Sequence, residues 1–371
     1  MGEIFDYVDE LGPTRIIHIH EPTHGLKAVL VVDNVAAGPA IGGLRMAPDV
    51  STKECARLAR AMTLKNAAAG LPHGGAKSVL FGDPKMPREE KDRLIRELAC
   101  ALKNEKSYIF GPDMGTDEQC MAWVKDEIGR SVGLPREVGG IPLDEIGATG
   151  WGLSHVVDVA LRYCDFGIEG ARVVIQGFGA VGMHTARFLA AKGAKIVAVG
   201  DSRGGIEDPQ GLDLERLLAL KKEGRSVIEY GNGRKLKEQD AIVGVECDIW
   251  IPAARPDVVH KDNVAKLKTR LVVQGANIPF TPSAEKALHE RAILNVPDFI
   301  ANAGGVICAA MEYQQMSQTA AFQVIEEKLR TNTEEVLEQV SRKQCLPRDA
   351  AMAMATERVK RAMDTRRWAL F

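Results

Sequence analysis

Residues 173–202 read VVIQGFGAVGMHTARFLAAKGAKIVAVGDS. Gly177, Gly179 and Gly182 stand at G-x-G-x-x-G spacing, directly after an apolar strand-like run and directly before a helical one. Each glycine has its own use: the first permits a tight turn, the second lets a pyrophosphate reach the backbone, and the third lets helix and strand pack closely. The phosphates then rest on a helix N-terminus, where free N–H groups and the dipole favour anions. The stretch predicts a strand–turn–helix that holds a dinucleotide through Gly177, Phe178, Gly179, Ala180, Val181 and Gly182. Asp201 follows Gly182 by 19 residues and ends the next apolar run, with Ser202 beside it. A carboxylate there accepts a hydrogen bond from a ribose 2′-hydroxyl and repels a 2′-phosphate, so NAD is expected over NADP. Arg203, two residues on, offers a partner for a phosphate instead. The plainer alternative is a glycine-rich turn that only packs tightly.

Outward from this unit, short apolar runs recur at 172–176, 195–200, 247–252, 270–275 and 292–297, with helical patterns between several of them. Such alternation implies parallel strands joined by crossover helices. Upstream, TRIIHIH (14–20) and KAVLVVDN (27–34) read as strands, as does the short run 78–81. Ser51 and Glu54 have capping-box spacing at the head of a helix over 51–70, and a second helical pattern covers 88–104. From about 316 the chain is helical and amphipathic; Pro347 interrupts it, and a last helix begins at Asp349. At 371 residues the chain fits two domains. Lys and Arg number 48 against 50 Asp and Glu, which argues against a nucleic-acid binder needing a basic surplus. The N-terminus is acidic and lacks a signal-peptide pattern, and no apolar run reaches the roughly 18 residues of a membrane helix. Seven scattered cysteines without a CxxC pair read as reduced thiols in a cytoplasmic protein, with no metal site. His18 and His20 share a strand face but have no third ligand nearby in the sequence.

The stretch LKNAAAGLPHGGAK (64–77) places two lysines in an otherwise bare segment. Leu58, Met62, Lys65 and Ala69 recur at helical spacing on one face, which is expected to point inward, whereas Lys53, Arg57 and Arg60 point to solvent. A buried ammonium needs an anion, either a ligand or an internal ion pair. Lys77 lies where a glycine turn meets a strand, with Gly74, Gly75 and Ala76 leaving room beside it. To act as a base near neutral pH, its pKa must fall from about 10.4 to about 7–8, which burial beside another cation supplies. A solvated strand-edge lysine is the alternative. In YIFGPDMGTDEQCMAW (108–123), Asp113 occupies a rigid Gly-Pro loop, suited to capping a helix or to moving protons. His73 reads as a hydrogen-bonded turn histidine.

Together these segments resemble the amino-acid dehydrogenase family of glutamate, leucine, phenylalanine and valine dehydrogenases. The resemblance spans nearly the whole chain through GPAIGGLRM (38–46), MTLKNAAAGLPHGGAK (62–77), GPDMGT (111–116), GATGWG (147–152), GFGAVG (177–182), QGAN (274–277) and PDFIANAGGV (297–306). It implies an α/β fold of two domains: an N-terminal substrate and oligomerisation domain over 1–146, joined by a C-terminal helix at about 346–371, and a Rossmann-like, doubly wound NAD-binding domain over 147–345. An active cleft between the domains and a homo-oligomer, hexameric or octameric, are further implications. By the same resemblance, Lys77 is the catalytic lysine that activates water, Asp113 exchanges protons with the amino group, and Lys65 binds the substrate α-carboxylate. Thr149 and Asn302 match positions near the nicotinamide, and Ala253 and Asn277 match cofactor-side loops. The implied reaction is reversible oxidative deamination of an L-amino acid to a 2-oxo acid and ammonia. A non-catalytic dinucleotide-binding regulator on the same fold is the competing class, but it has no need of Lys65, Lys77 and Asp113.

The side-chain pocket implied by the resemblance includes Ile41, Gly42, Gly111, Val306 and Ala309. Glutamate-using members carry a lysine where this chain has Ile41, and a serine where it has Ala309. Both replacements remove polar partners, and an unpaired substrate carboxylate there costs several kcal/mol. Leucine, valine or phenylalanine is therefore the expected substrate type, with Gly111 and Ala309 leaving room. The alternative is glutamate held by another cation, and GLPREVGGIPLDEIGATG (133–150) has the look of glutamate enzymes.

Overall fold

The computed structural model describes residues 4–366. The chain divides into two compact units. One comprises the residues through Pro142, Val306–Ala321 and the segment from Met352; the other comprises Leu143–Gly305 and Phe322–Ala351. The expected division at 146/147 and a single second block to 345 differ from this, because 306–321 packs with the first unit. There the buried Glu312 carboxylate accepts hydrogen bonds from the backbone N–H groups of Gly133 (2.8 Å), Leu134 (3.2 Å) and Ile141 (2.8 Å). The last helix, Pro347–Thr365, also ends in the first unit, where Arg358 donates to the carbonyl of Ala68 at 2.8 Å. Residues 367–371 of the expected C-terminal helix lie outside the described residues. Pro347 opens this helix rather than interrupting one, in keeping with the tolerance of a first turn for a residue without N–H.

The first unit is built on a five-stranded sheet in the order β1-β2-β4-β3-β5. Its strands are β1 (Arg15–Glu21), β2 (Leu26–Asn34), β3 (Ala40–Ala47), β4 (Gly75–Phe81) and β5 (Tyr108–Pro112). The alternating side chains of β2 serve two cores. Leu26, Ala28, Leu30 and Val32 meet the helices Arg88–Ala101 and Glu118–Ile128 on one face. Val29 and Val31 meet Cys55 and Ala59 of the helix Thr52–Ala68 on the other. β4 lies between β2 and β3, so Lys77 stands on an internal strand and not at a wet sheet edge.

The helix Thr52–Ala68 starts where its sequence indicates, with Glu54 N–H donating to the Ser51 hydroxyl at 3.2 Å. Only half of the capping box forms, because the Glu54 side chain is bound by Arg45 at 2.5 Å. The buried stripe of this helix is Cys55, Ala59, Thr63 and Asn66, about a quarter turn from the stripe expected on Leu58, Met62 and Lys65. Lys65 is accordingly half-buried on the flank. Arg60, expected in solvent, donates to Asp33 at 2.9 Å and to Asp9 at 2.5 Å.

The second unit carries a seven-stranded sheet in the order β12-β11-β10-β6-β7-β8-β9. The strands are β6 (Arg172–Gln176), β7 (Lys195–Asp201), β8 (Gly204–Glu207), β9 (Arg234–Leu236), β10 (Ile249–Pro252), β11 (Leu271–Val273) and β12 (Leu294–Val296). The five apolar runs read from the sequence are β6, β7, β10, β11 and β12, and they pair in parallel. β8 and β9 add an antiparallel edge that the expectation of parallel strands did not include. After β6 the chain builds outward through β7 to β9 and then crosses back to β10 on the other side of β6. That reversal is the switch point at which open α/β sheets bind ligands.

Candidate functional site

The first candidate centre lies on the sheet face covered by the helix Thr52–Ala68. Side-chain alternation puts Ile41, Gly43 and Arg45 of β3 on that face, beside Gly75 and Lys77 of β4 and Gly111 of β5. Lys77 is 5% exposed, and its Nζ lies 2.9 Å from Asp113 Oδ2. Arg45 Nε reaches the same oxygen at 2.8 Å. A Cβ on Gly43 would sit 2.8 Å from Asp113 Cβ and 3.0 Å from Lys77 Nζ, so the pair closes over a position with no side chain. The bareness of the sequence here is thus a packing requirement. Asp113 is held at its backbone, where its N–H donates to the Thr116 hydroxyl, which in turn donates to the Leu44 carbonyl at 2.7 Å. It caps no helix; that role falls to Asp117, which accepts from Cys120 N–H at 3.0 Å.

Burial pushes the Lys77 ammonium pKa down; the Asp113 carboxylate opposes this, and Arg45 adds to it. Burial alone would raise the Asp113 carboxyl, but the Lys77 ammonium and the Arg45 guanidinium outweigh it and hold the group below the usual range. The arrangement suits an amine that gives up and regains a proton beside a carboxylate that is ionised at rest.

The other expected substrate residues are placed as follows. Ile41 is 4% exposed on the Lys77 face, and a Cβ on Gly111 would meet Val132 Cγ2 at 3.6 Å, an ordinary contact. Gly42 faces the opposite way: a Cβ there would fall 1.7 Å from the Ala76 carbonyl, and its own carbonyl accepts from the Tyr108 hydroxyl at 2.9 Å. Close strand packing thus requires a residue without a side chain at this position. Val306 and Ala309 are half-buried on the helix Gly304–Tyr313. His73 bonds the Pro39 carbonyl at 3.0 Å, as a turn histidine does. His18 and His20 are exposed on β1. The sequence reading passed over Arg45 and Gly43, although both stand in GPAIGGLRM. An arginine two residues beyond a glycine on a buried strand was the available signal.

The second candidate centre is a cavity of about 450 Å³ at the C-terminal ends of β6, β7 and β10, lined by Gln176, Gly177, Phe178, Gly179, Asp201, Ser202, Lys221, Ala253 and Arg255 among others. The three glycines behave as their spacing implies. Gly177 has φ 105°, and a Cβ on it would meet the Ala253 backbone at 2.6 Å. A Cβ on Gly182 would meet the Gly177 carbonyl at 1.9 Å, which fixes the helix against the strand. Gly179 has nothing within 4 Å on its open side, and no side chain caps the helix Ala180–Ala190 that it precedes. Asn302 donates to the Asn277 side-chain oxygen at 3.0 Å and, more weakly, to the Gly275 carbonyl. Its own buried Oδ1 has no hydrogen-bond partner among the described residues. Thr149 packs close by: a Cβ on Gly305 would lie 3.3 Å from its hydroxyl. An open glycine backbone, an uncapped helix start and an orphaned amide acceptor fit a nicotinamide dinucleotide.

Asp201 differs from the free ribose acceptor expected of it. Oδ1 accepts from the Ser226 hydroxyl (2.7 Å) and from Arg203 N–H (3.0 Å); Oδ2 accepts from Val227 N–H (3.0 Å) and Lys221 Nζ (3.2 Å). Burial would raise its pKa, but these donors together hold it low. The Arg203 guanidinium turns to Glu229 at 2.9 Å.

Two family models match the chain. One, described as glutamate/leucine/phenylalanine/valine dehydrogenase, covers residues 139–367, and the other, described as the dimerisation domain of Glu/Leu/Phe/Val dehydrogenase, covers 13–130. A glutamate dehydrogenase of Aeropyrum pernix is 38% identical over 90% of this chain and 85% of its own length. An NADP(+)-dependent glutamate dehydrogenase of Pyrobaculum calidifontis is 37% identical over 96% and 92%. Among solved structures, a hetero-hexameric glutamate dehydrogenase of Thermus thermophilus in a leucine-bound form superposes with a TM-score of 0.82 at 30% identity, over 95% of this chain and 90% of that one. No helix among the described residues is long and apolar enough to cross a membrane.

Proposed function

The chain belongs to the glutamate/leucine/phenylalanine/valine dehydrogenase family and is an amino-acid dehydrogenase, and from that premise we propose that Lys77, Asp113 and Lys65 carry the reversible oxidative deamination of an L-amino acid. The observation behind this is the buried Lys77 ammonium 2.9 Å from Asp113. Lys65 binds the α-carboxylate. Asp113 takes a proton from the substrate ammonium, because an amine must be neutral before hydride can leave its carbon. A nicotinamide bound in the second centre would supply the acceptor for that hydride. Neutral Lys77 then deprotonates the water that attacks the resulting imine, and its ammonium form stabilises the carbinolamine oxygen. Asp113 returns its proton to the departing ammonia. Thr149, Asn277 and Asn302 would hold the nicotinamide end of the cofactor, while Gly179 and the head of the helix Ala180–Ala190 would receive the pyrophosphate.

Glutamate is the first substrate reading. It is supported by the names of the relatives, and it requires a cation other than position 41 for the side-chain carboxylate. An apolar amino acid of the leucine, valine or phenylalanine type is the second, favoured by the buried Ile41 on the Lys77 face and by Ala309. NADH and NADPH formation across a panel of L-amino acids decides between them: glutamate turned over well above leucine upholds the first, and the reverse upholds the second. Turnover of no amino acid overturns the proposed reaction. Ile41→Lys is expected to raise the ratio of glutamate to leucine kcat/KM about tenfold or more. An unchanged ratio would show that position 41 does not face the side chain.

NAD is the proposed cofactor, on the strength of Asp201 at the cavity rim. Asp201→Ser is expected to raise kcat/KM for NADP relative to NAD about tenfold. If the ratio stays put, the carboxylate is engaged by its four protein donors alone and does not read the ribose. A homo-oligomer, with a hexamer first in line, is proposed from the match to a dimerisation domain and from the hexameric Thermus relative; sedimentation velocity measures it.

A further inference from the structure

Arg45 contacts Asp113 beside Lys77, and its two arms do different things. Nε donates to Asp113 Oδ2 at 2.8 Å, and Nη1 donates to Glu54 Oε1 at 2.5 Å. The guanidinium is therefore anchored at one end to the helix Thr52–Ala68 and at the other to the carboxylate beside Lys77. Lys77 Nζ and Arg45 Nε converge on the same oxygen. The Thr116 hydroxyl fixes the Asp113 backbone but leaves the side chain its torsions, and the carboxylate torsion of an aspartate is broad. With Gly43 providing no lateral wall, the guanidinium sets the plane of that carboxylate.

We propose that Arg45, tethered by Glu54, is a positioning residue that turns Asp113 so that Oδ2 is shared with Lys77 and Oδ1 is presented to the substrate amine. This rests on the reading of Lys77 and Asp113 as the reacting pair. A planar fork is needed, because a lysine has a single nitrogen and cannot reach both carboxylates from one place. The charged or titratable groups acting most strongly on Lys77 are Asp113, Arg45 and Cys55, and Glu54 acts on Arg45. Of these, Arg45 favours the neutral amine and Asp113 favours the ammonium. Loss of the guanidinium charge therefore raises the pH at which Lys77 gives up its proton.

The test is the pH profile of kcat/KM and kcat for Arg45→Gln and Arg45→Lys, with the amino acid that the unaltered enzyme turns over best. Arg45→Gln is expected to move the acid limb up by about one pH unit and to lower the plateau kcat by about 10- to 100-fold. Arg45→Lys keeps the charge, so its limb stays near that of the unaltered enzyme while its plateau falls. A residue with only a structural role would lower the plateau and leave the limb in place. An unmoved limb in Arg45→Gln, or an undiminished plateau in Arg45→Lys, overturns the proposal. Should Arg45→Gln not fold, Glu54→Gln joins Arg45→Lys as the deciding variant, and a full plateau in either has the same consequence. Lys77→Ala run alongside separates the two levels: if it remains active, the reacting pair itself is misassigned. If it is inactive while the Arg45→Gln limb is unmoved, only the role of Arg45 fails.

Discussion

Lys77→Ala is expected to lower kcat by about 10³-fold or more while the dinucleotide still binds. The lysine is asked for two proton-linked tasks, activation of water and stabilisation of the carbinolamine, and the alanine variant leaves no amine beside Asp113 to perform either. In the proposed reading, dinucleotide binding is carried by the other unit, by Gly177, Gly179 and Gly182, so a fluorescence titration with the reduced cofactor should give an unchanged affinity. Activity within tenfold of the unaltered enzyme would remove Lys77 from the chemistry. The pH dependence follows from the same geometry. Burial depresses the Lys77 pKa, so the neutral amine prevails above that lowered value and the rate falls as pH drops through it. Asp113→Asn should cost a comparable factor, and its residual activity should show the acid limb at lower pH. The sign is set by Asp113, which holds the proton on Lys77 and no longer does so as an amide.

Arg348→Met is expected to destabilise the protein by about 3–5 kcal/mol. Arg348 donates to Glu285 at 2.6 Å and to Asp298 at 2.8 Å, and both carboxylates are buried. Gln274 ties the group together, donating to Glu285 at 2.7 Å and to Asn295 at 3.0 Å, while Asp298 accepts from Ile278 N–H at 2.8 Å. Removing the guanidinium leaves two buried carboxylates without their cation, which costs far more than the net worth of the pairs. Thermal or urea unfolding measures the loss. Adding Glu285→Gln and Asp298→Asn to Arg348→Met should recover part of it, because the uncompensated charges are then gone. A loss below about 1 kcal/mol in the single variant would show that this network does not hold the unit together. Residues 274–278 include Asn277, so a weakened affinity for the dinucleotide should accompany the lost stability.

Much of the second unit was readable because its instructions are local. A strand, a glycine turn and a helix in sequence leave few conformations, and Gly182 answers to a contact within its own βαβ unit, the Gly177 carbonyl, although Gly177 itself packs against Ala253 at the end of β10. The first unit was harder. Its apolar periodicity located strands and helices, yet a quarter-turn error in the buried stripe of Thr52–Ala68 misplaced Lys65 and sent Arg60 to solvent. The helix is rich in alanine, and small side chains give a weak moment from which to read its rotation. The antiparallel strands β8 and β9 escaped for a related reason: at three and four residues, with glycine and charge among them, they carry no apolar alternation.

By itself the sequence determined the α/β class, the dinucleotide fingerprint, and the identity of Lys77 and Asp113 as residues worth watching, since spacing and residue type are sufficient for these. Only the tertiary structure decided what surrounds them. It brought Arg45 from β3 to Asp113 and Glu54 from the covering helix to Arg45, buried Ile41 on the same face as Lys77, and surrounded Asp201 with four donors from three segments. The reason is electrostatic and steric: the ionisation and orientation of a buried group depend on neighbours within a few ångströms, and those neighbours are drawn from positions tens of residues apart in the chain.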